Sequence, residues 1–312
     1  MRACMPLLVL ALLAPSALAE CPAPPPAQRD IIADSYYDDA PVYSHIDPVK
    51  YAAYEAAVGP LEAYLGGVAK MASGGSHDDA ACAVEWLVAW AEGDALLGKI
   101  EKEQAHYERK WLLAGLALSY AKVRPIASTD QAAAVDVWLR TIAHQVRRHS
   151  DAYKGERNNH YYWEGLAVAA TGAVTGDEKD IVWGRRVFAY AETQIADDGT
   201  LPLEMKRGAR ALHYHLFAAA PLAMLESILN IQSARFGKLA EFSWRSKPQD
   251  VAKRAGAAQT GVLDDDYDWV DVYLRHHHVN YLVQIPPGRI PCVKRLGGDL
   301  SKPNPLEHVI KD

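Results

Sequence analysis

The chain has 312 residues, half of them hydrophobic, and a formal net charge of −6. This composition supports a sizeable core and argues against a general nucleic-acid binder, which is usually basic. An acidic protein still binds a polyanion when its cations are gathered in one cleft.

The N-terminus has the three parts of a secretory signal peptide. Arg2 supplies a positive charge, residues 6–14 are almost wholly apolar, and Ala17–Ala19 has the small-x-small form of a cleavage site. The apolar stretch is too short to cross a bilayer, which takes about 20 residues. We therefore expect residues 1–19 to be removed and residues 20–312 to form a single, monomeric domain that is periplasmic or secreted, with no membrane anchor.

Four cysteines occur, at positions 4, 21, 82 and 292, and Cys4 leaves with the signal peptide. In an oxidising compartment, one disulfide and one free thiol account for the other three. Three buried free cysteines are the alternative, and spacing alone does not decide which two pair.

Most of the chain beyond a proline-rich arm (residues 20–30) and a loop rich in Tyr and Asp (residues 34–47) has helical periodicity. The segments are Val49–Met71, Ala80–Ala95, Gln104–Val123, Thr129–His149, Tyr162–Thr175, Asp180–Ala196, Arg207–Gln232 and Gln249–Thr260. Strand signals are scarce, and Tyr281–Ile285 is the best of them. The pattern predicts an all-α protein of about ten helices. Antiparallel hairpins of such helices form a bundle, a solenoid or an α/α toroid.

The segment Asn158–Trp163 (NNHYYW) is the most unusual in the chain. Amides and an imidazole are groups that hold a carboxylate, and aromatic rings stack on sugar faces. A helix N-terminus capped by Asn158 or Asn159, with aromatic residues packed in the core, explains the same residues equally well.

A second cluster further along the chain is basic. On a continuous helix, Arg207, Arg210 and Tyr214 would share one face, with Lys206 and His213 on the neighbouring face. Arginine suits bidentate carboxylate binding, and it lowers the pKa of a nearby phenol. A solvated basic face with Tyr214 packed at its edge is the alternative.

Metal and cofactor motifs are weak. His213 with His215, and the run His276–His278, are candidate zinc ligands, but neither has a third ligand at a characteristic spacing. The acidic run Asp264–Asp268 lacks the Gly and Glu of an EF-hand loop and is interpreted as an exposed turn. No P-loop, nucleophile elbow or dinucleotide fingerprint occurs. We therefore expect no cofactor and no catalytic metal.

Several blocks of sequence follow one another in a familiar order along most of the mature chain. They are Cys21–Pro26, Cys82–Ala91, Arg109–Trp111, Asn158–Trp163, Asp198–His215 and Arg295–Gly298. Together they resemble the alginate lyases of polysaccharide lyase family 5, the poly(β-D-mannuronate) lyases. The resemblance implies an incomplete (α/α) toroid of antiparallel helix hairpins with a deep cleft. Because both cysteine-bearing blocks match, it also implies a disulfide between Cys21 and Cys82.

The resemblance also implies a catalytic set, since Asn159, His160, Arg207 and Tyr214 fall on the family's catalytic positions. Such a lyase removes the C5 proton beside a uronate carboxylate, so the carboxylate must be neutralised. Asn159 and Arg207 are suitable donors to the developing oxyanion. Tyr214 is expected to act as base and then acid in a syn β-elimination, while His160 assists neutralisation or is itself the base.

Eight further residues are expected to bind an anionic polysaccharide through sugar rings or neighbouring carboxylates. They are Tyr36, His45, Gln104, Tyr107, Trp163, Arg210, His213 and Arg295. The chain departs from the family pattern in the entry loop, where Ser35–Asp38 replaces a frequent Lys, and at His213, where Ala is common. Polyglucuronate, or several polyuronates, is therefore an alternative to polymannuronate.

Two other function classes stay open on the sequence. A glycoside hydrolase on a similar toroid would need two carboxylates flanking the bond, and Glu204 is the best-placed acid but has no evident partner. A non-catalytic periplasmic polysaccharide-binding protein would bind the polymer in the cleft but would not cleave it.

Overall fold

The structure is a computed structural model that describes residues 21–40, 43, 45–279 and 290–310. The predicted signal peptide (residues 1–19) and the predicted strand Tyr281–Ile285 lie outside the described residues.

Helices dominate the part of the chain that is described. They are α1 (Pro48–Ser73), α2 (His77–Glu92), α3 (Lys102–Val123), α4 (Thr129–Ala152), α5 (Asn159–Thr175), α6 (Glu178–Gln194), α7 (Pro202–Met205), α8 (Ala211–Leu229), α9 (Ala234–Arg245), α10 (Pro248–Ala255) and α11 (Val270–His276). Two short strand pairs accompany them: β1 (Ile31–Ile32) with β2 (Ile100–Glu101), parallel, and β3 (Cys292–Val293) with β4 (Gly298–Asp299), antiparallel. The all-α prediction is confirmed, and the helix hairpins form an incomplete α/α toroid.

Helix α5 lies at the centre of the molecule and packs against α3, α4, α6 and α8. Every residue from Tyr162 to Gly172 is buried. The contact with α6 is close because Gly165 has no side chain: a Cβ there would lie 2.6 Å from Cγ1 of Val187. The N-terminus of α5 is therefore fixed by packing on several sides.

Helix α8 is a second helix of the core and packs against α5. By length and composition, Gly208–Leu229 passes as a membrane span, but 89% of its apolar window is buried inside the molecule, as in a core helix. Its first turns lie beside the N-terminal part of α5, since Trp163 on α5 contacts Phe217 on α8. The two helices therefore present their N-terminal residues to a common region.

One predicted helix is broken in the structure. Instead of a single helix over Arg207–Gln232, a 3₁₀ turn at Gly208–Arg210 precedes α8. Gly208 has a φ of +55°, a left-handed conformation that glycine tolerates and that interrupts a helix. Similarly, α10 ends before the predicted Thr260 because Gly256 has a φ of +69°.

Three helices, α7, α9 and α11, were not predicted, and α7 has only four residues. The seven residues of α11 are too few to show a period. By contrast, α9 buries Phe236, Leu239 and Ala240, which have helical spacing that was available in the sequence.

The disulfide implied by the family resemblance is confirmed. Cys21 is bonded to Cys82 on α2, with a Cα–Cα distance of 5.3 Å, and Cys292 is an exposed free thiol. Two indole nitrogens on the same helix, of Trp86 and Trp90, donate to backbone oxygens of the proline-rich arm at 2.7 and 2.9 Å. The arm is therefore tied to α2 along its length.

We expect the double variant Cys21→Ser/Cys82→Ser to lose about 2–4 kcal/mol of unfolding free energy, because the bond constrains a long loop of the unfolded chain. The bonded residues are separated by 61 positions. Urea unfolding followed by circular dichroism measures the loss. Cys292→Ser is the matched control, and an equal loss in that variant would contradict the assignment.

Candidate active site

A cleft of about 460 Å³ opens beside the N-terminal ends of α3, α5 and α8. Nine of the twelve predicted catalytic and binding residues line it: Tyr36, Gln104, Tyr107, His160, Arg207, Arg210, His213, Tyr214 and Arg295. The tertiary structure therefore brings together residues from the entry loop, α3, α5, α8 and the C-terminal region.

His160 stands in the first turn of α5 and forms part of the cleft wall. Its ring stacks on the ring of Tyr107, with 3.6 Å between centroids and 13° between planes. The side chain of Asn158 caps the helix by accepting from the backbone N–H of His160 at 3.1 Å. The segment is thus both a capped helix start and part of the cleft, so the two interpretations of the sequence are compatible.

The imidazole of His160 is held in its neutral form. Burial pushes its pKa well below 6.5, and the positive charges of Lys110, Arg207 and Arg295 push it in the same direction. Lys110 is itself fully buried and pairs with Glu164 at 3.1 Å. At neutral pH the cleft therefore contains an uncharged imidazole among cations.

The basic cluster surrounds a buried phenol, although not through one helical face. The guanidinium carbons of Arg207 and Arg210 lie 4.9 and 5.6 Å from the ring centroid of Tyr214. Both arginines precede the first residue of α8, and it is the turn at Gly208 that places them against the ring. Lys206, expected beside them, is exposed and does not line the cleft.

The pKa of Tyr214 differs from expectation. Burial raises it, and a hydrogen bond with Tyr37 raises it further, while Arg210 and Arg207 lower it by less. The guanidinium of Arg210 also donates to the phenol oxygen of Tyr37 at 3.1 Å. As predicted, the arginines lower the pKa of Tyr214, but the increase in pKa caused by burial is larger. Tyr214 is therefore protonated at neutral pH.

Asn159 is fully buried and does not line the cleft. Its side-chain amide donates to Oε1 of Glu204 at 2.8 Å, and its backbone N–H donates to the same oxygen at 3.1 Å. The other oxygen of Glu204 accepts from Nε of Arg207 at 3.5 Å. In this arrangement the side-chain amide of Asn159 is bonded to Glu204 and lies behind the cleft lining, so its direct contact with substrate stays a prediction.

From the sequence alone, Glu204 is a candidate only for a hydrolase acid. It is 1% exposed, and burial raises its pKa, while Asn159 and Arg207 lower it. It joins the N-terminus of α5 to the turn before α8. Its position in the matched block Asp198–His215 was a signal of importance, but its role as an anchor depends on tertiary contacts.

Arg295 and Gln104 form the other side of the cleft and share a buried support. The guanidinium of Arg295 lies 4.1 Å above the Trp111 ring and pairs with Glu62 at 2.8 Å. Glu108, completely buried, lies 3.8 Å from Arg295 and accepts from Gln104 at 2.7 Å. Glu108 was not predicted, since a carboxylate under a substrate cleft leaves no pattern in the sequence.

Two predicted binding residues do not reach the cleft. Trp163 is 2% exposed, and its indole N–H donates to the backbone oxygen of Phe217 at 3.2 Å, because its place on α5 turns it into the core. His45 is exposed and pairs with Asp38 at 2.6 Å outside the cleft lining. The structure therefore places both residues outside the cleft lining, and their sugar contacts stay predictions.

The histidines near the start of α8 do not form a zinc pair. His215 accepts the backbone N–H of Leu201 at 2.9 Å and donates to the oxygen of Ala211 at 2.7 Å, so both ring nitrogens are used. His213 pairs with Asp266 at 3.2 Å.

His213 and Asp266 both line the cleft. Asp266 therefore belongs to the site and is not an exposed turn residue.

Several aromatic residues of the cleft were not singled out in advance. They are Tyr37, Tyr43, Tyr54, Trp111, Tyr153 and Phe217. The tyrosine-rich composition of the entry loop was the one available signal for the first two. The cleft therefore combines cations with many apolar rings, a surface that suits a charged sugar polymer.

Comparisons with known proteins identify the family of this chain. The alginate lyase family model matches residues 32–235. A polysaccharide lyase of Stenotrophomonas maltophilia is 42% identical over 306 residues, which cover 92% of this chain and 91% of that protein. An alginate lyase of Azotobacter vinelandii is 28% identical, with 90% and 83% covered.

A solved structure shares the fold. A variant of alginate lyase A1-III complexed with a tetrasaccharide matches with a TM-score of 0.76 and 22% identity, covering 93% of this chain and 87% of that one. The fold expected from the sequence blocks is thus found in an experimental structure.

We expect the imidazole of His160 to stay neutral well below pH 6.5, because the cleft buries it among cations. The pKa of His45, hydrogen-bonded to Asp38, should instead lie above 6.5. Imidazole proton shifts in an NMR titration measure both values, with His160→Gln and His45→Gln used for assignment. A His160 signal that titrates near 6.5 would contradict the described electrostatics.

Proposed function

Because the chain belongs to the alginate lyase family, whose members are polysaccharide lyases, we propose that it cleaves 1,4-linked polymannuronate by syn β-elimination. The observation that carries the proposal is the convergence of Arg207, neutral His160 and protonated Tyr214 on one cleft. In this proposal, side-chain cations neutralise the substrate carboxylate, and no step is assigned to a metal ion.

The reaction has a simple balance. A base removes the C5 proton, the C4–O4 bond breaks, a C4=C5 double bond forms, and the leaving O4 receives a proton. The C5 proton is weakly acidic while the neighbouring carboxylate is charged. A group that neutralises the carboxylate and stabilises the enolate-like intermediate therefore lowers the barrier most.

Arg207 is the group proposed to neutralise the carboxylate. Its guanidinium lies at the cleft wall, and its Nε is held by the buried carboxylate of Glu204. Asn159 fixes the other oxygen of Glu204. We assign Asn159 and Glu204 as positioning residues, which act on the substrate through Arg207.

Tyr214 is the proposed acid. Its raised pKa keeps the proton that O4 needs, and it lies between two arginines that stabilise the phenolate left behind. Neutral His160 is the proposed base for the C5 proton, since a buried phenol is a poor resting phenolate. Tyr214 as both base and acid is the second candidate, favoured by the arginines, which lower its pKa.

Neighbouring sugars are proposed to bind on both sides of this centre. Arg210, Arg295 and Gln104 offer charge and hydrogen bonds to adjacent carboxylates, and Tyr36 and Tyr107 offer rings to sugar faces. His213, paired with Asp266, and the tyrosine-rich entry loop are the features that make polyglucuronate the alternative substrate.

The proposal extends to where the enzyme acts. We propose a periplasmic or secreted monomer, in line with the predicted signal peptide and with the disulfide between Cys21 and Cys82, a bond that persists in oxidising compartments.

A hydrolase is disfavoured, because Glu204 is buried behind the cleft and already bonded to Asn159 and Arg207.

Incubation with polymannuronate should produce unsaturated uronate ends, seen as a rise in near-ultraviolet absorbance, because elimination creates a C4=C5 bond conjugated with the carboxylate. Polymannuronate, alginate and polyglucuronate are compared in one panel. New reducing ends without an absorbance rise would indicate hydrolysis and overturn the proposal. Binding without either signal would indicate a non-catalytic binding protein.

In the same assay, Tyr214→Phe should lower kcat by a factor of about 100 or more, since general acid catalysis supplies about 10²–10⁴. Polymer binding should persist. Tyr190→Phe, on α6 and outside the cleft lining, is the matched control and should keep full activity. Full activity in Tyr214→Phe would remove Tyr214 from the chemistry.

The pH profile separates the two candidate bases. With His160 as base and Tyr214 as acid, kcat/KM should be flat across neutral pH, because His160 loses its neutral form only well below pH 6.5 and the pKa of Tyr214 is raised above 10. If Tyr214 were the base, the rate would rise about tenfold per pH unit on the alkaline side. Such a rise above pH 8 would reject His160 as base.

A further inference from the structure

The far end of α8 carries a second cluster of polar groups that is remote from the cleft. Glu226 follows Tyr214 by twelve positions on the same helix, which places it about 18 Å further along the axis at 1.5 Å per residue. There it meets His276, the last residue of α11, and His277, which caps that helix. None of these three residues lines the cleft.

The three side chains are arranged so that they can share one ion. One ligand atom from each of Glu226, His276 and His277 lies within 4.8 Å of the other two. The shortest distance is 2.9 Å, between Nε2 of His277 and Oε2 of Glu226. Glu226 and His276 are buried, and His277 is half-buried, so the cluster is not an ordinary patch of exposed acidic groups.

The hydrogen bonds of His276 point independently to a ligand. Its Nε2 lies 2.6 Å from the backbone oxygen of Ile231, which can only accept, so this nitrogen carries the proton. Nδ1 then has the lone pair, and it is buried without a hydrogen-bond partner among the described residues. A histidine that donates to a carbonyl while its other nitrogen offers a lone pair is in the state that metal-ligating histidines adopt.

Glu226 is oriented in a comparable way. Its Oε1 accepts the backbone N–H of Ser233 at 2.7 Å, which leaves Oε2 directed at His277. Outer contacts of this kind fix ligand side chains in protein metal sites. The run His276–His278 lacks a third ligand in the sequence, and the fold supplies one from α8.

We propose that Glu226, His276 and His277 bind a zinc ion that clamps α11 to the end of α8. Two imidazoles and one carboxylate are ligands that zinc accepts, at about 2.0–2.2 Å each, and a water molecule completes a tetrahedral site. The site is structural and lies outside the proposed elimination chemistry. The 2.9 Å contact between Glu226 and His277 opens slightly to admit the ion.

A second group of possible ligands, His144, Asp177 and Asp180, is the natural comparison. There Asp180 already pairs with Arg147, and the side chain of His144 is 58% exposed. A fixed guanidinium beside the carboxylate repels a cation, so zinc is not assigned to this group.

The experiment is a zinc titration of full-length mature protein after removal of metals with a chelator. Calorimetry should show one zinc per chain, and zinc should raise the thermal unfolding temperature. His277→Gln should weaken binding at least about tenfold, since even changes to outer-shell contacts cost 10–100-fold. The matched control is His278→Gln, a change at the next, exposed position, which should bind like the unmodified protein.

Cobalt provides a second readout, since Co²⁺ in a tetrahedral site gives visible absorbance that should disappear in His277→Gln. If that variant does not fold, as judged by circular dichroism, Glu226→Gln takes its place. The proposal is overturned if the unmodified protein binds no zinc, if His277→Gln binds equally well, or if Asp177→Asn abolishes binding instead.

Lyase activity is assayed on the same samples as an independent measurement. His277→Gln should keep its activity on polymannuronate, because the cluster is distant from Arg207 and Tyr214. Zinc binding without elimination would reject the proposed function alone, and elimination without zinc binding would reject the metal site alone.

Discussion

The proposed catalytic centre depends on the hydrogen bonds that the buried carboxylate of Glu204 accepts. This carboxylate lies between the first turn of α5 and the turn before α8, where Asn159 donates to one oxygen and Arg207 to the other. A buried carboxylate is costly unless it is paired and hydrogen-bonded, and these partners satisfy it. Glu204 also holds the guanidinium of Arg207 at the cleft wall. A long arginine side chain without such a partner would not keep one fixed position.

Burial also decides the protonation states in the cleft. The protein is acidic overall, yet its cleft gathers Arg207, Arg210 and Arg295 around His160 and Tyr214. Desolvation favours the neutral form of both an imidazole and a phenol, so it lowers one pKa and raises the other. The resting centre thus contains a neutral imidazole beside a protonated phenol. That combination suits an elimination in which one proton leaves C5 and another reaches O4.

The two ends of α8 serve different purposes. Its N-terminal residues face the cleft, while its last turn carries Glu226 among the histidines of α11. The helix between them is packed in the core, so the two clusters are held at a constant separation. Arg275 on α11 also pairs with Glu307, which ties the C-terminal residues to the same region. A zinc clamp there would stabilise the frame without touching the substrate.

The sequence by itself determined the helical class, because helical periodicity is a property of the chain read in order. Its resemblance to a known family, carried by matched blocks, implied the disulfide partners and the two segments that form the centre. It also identified His160, Arg207 and Tyr214 as cleft residues. Only the tertiary structure decided that Asn159 and Trp163 turn inward, that Lys206 and His45 lie outside the cleft and that Glu204 and Glu108 support its arginines. Likewise, the raised pKa of Tyr214 and the meeting of Glu226 with His276 and His277 depend on burial and on distances between remote parts of the chain, which no local pattern encodes.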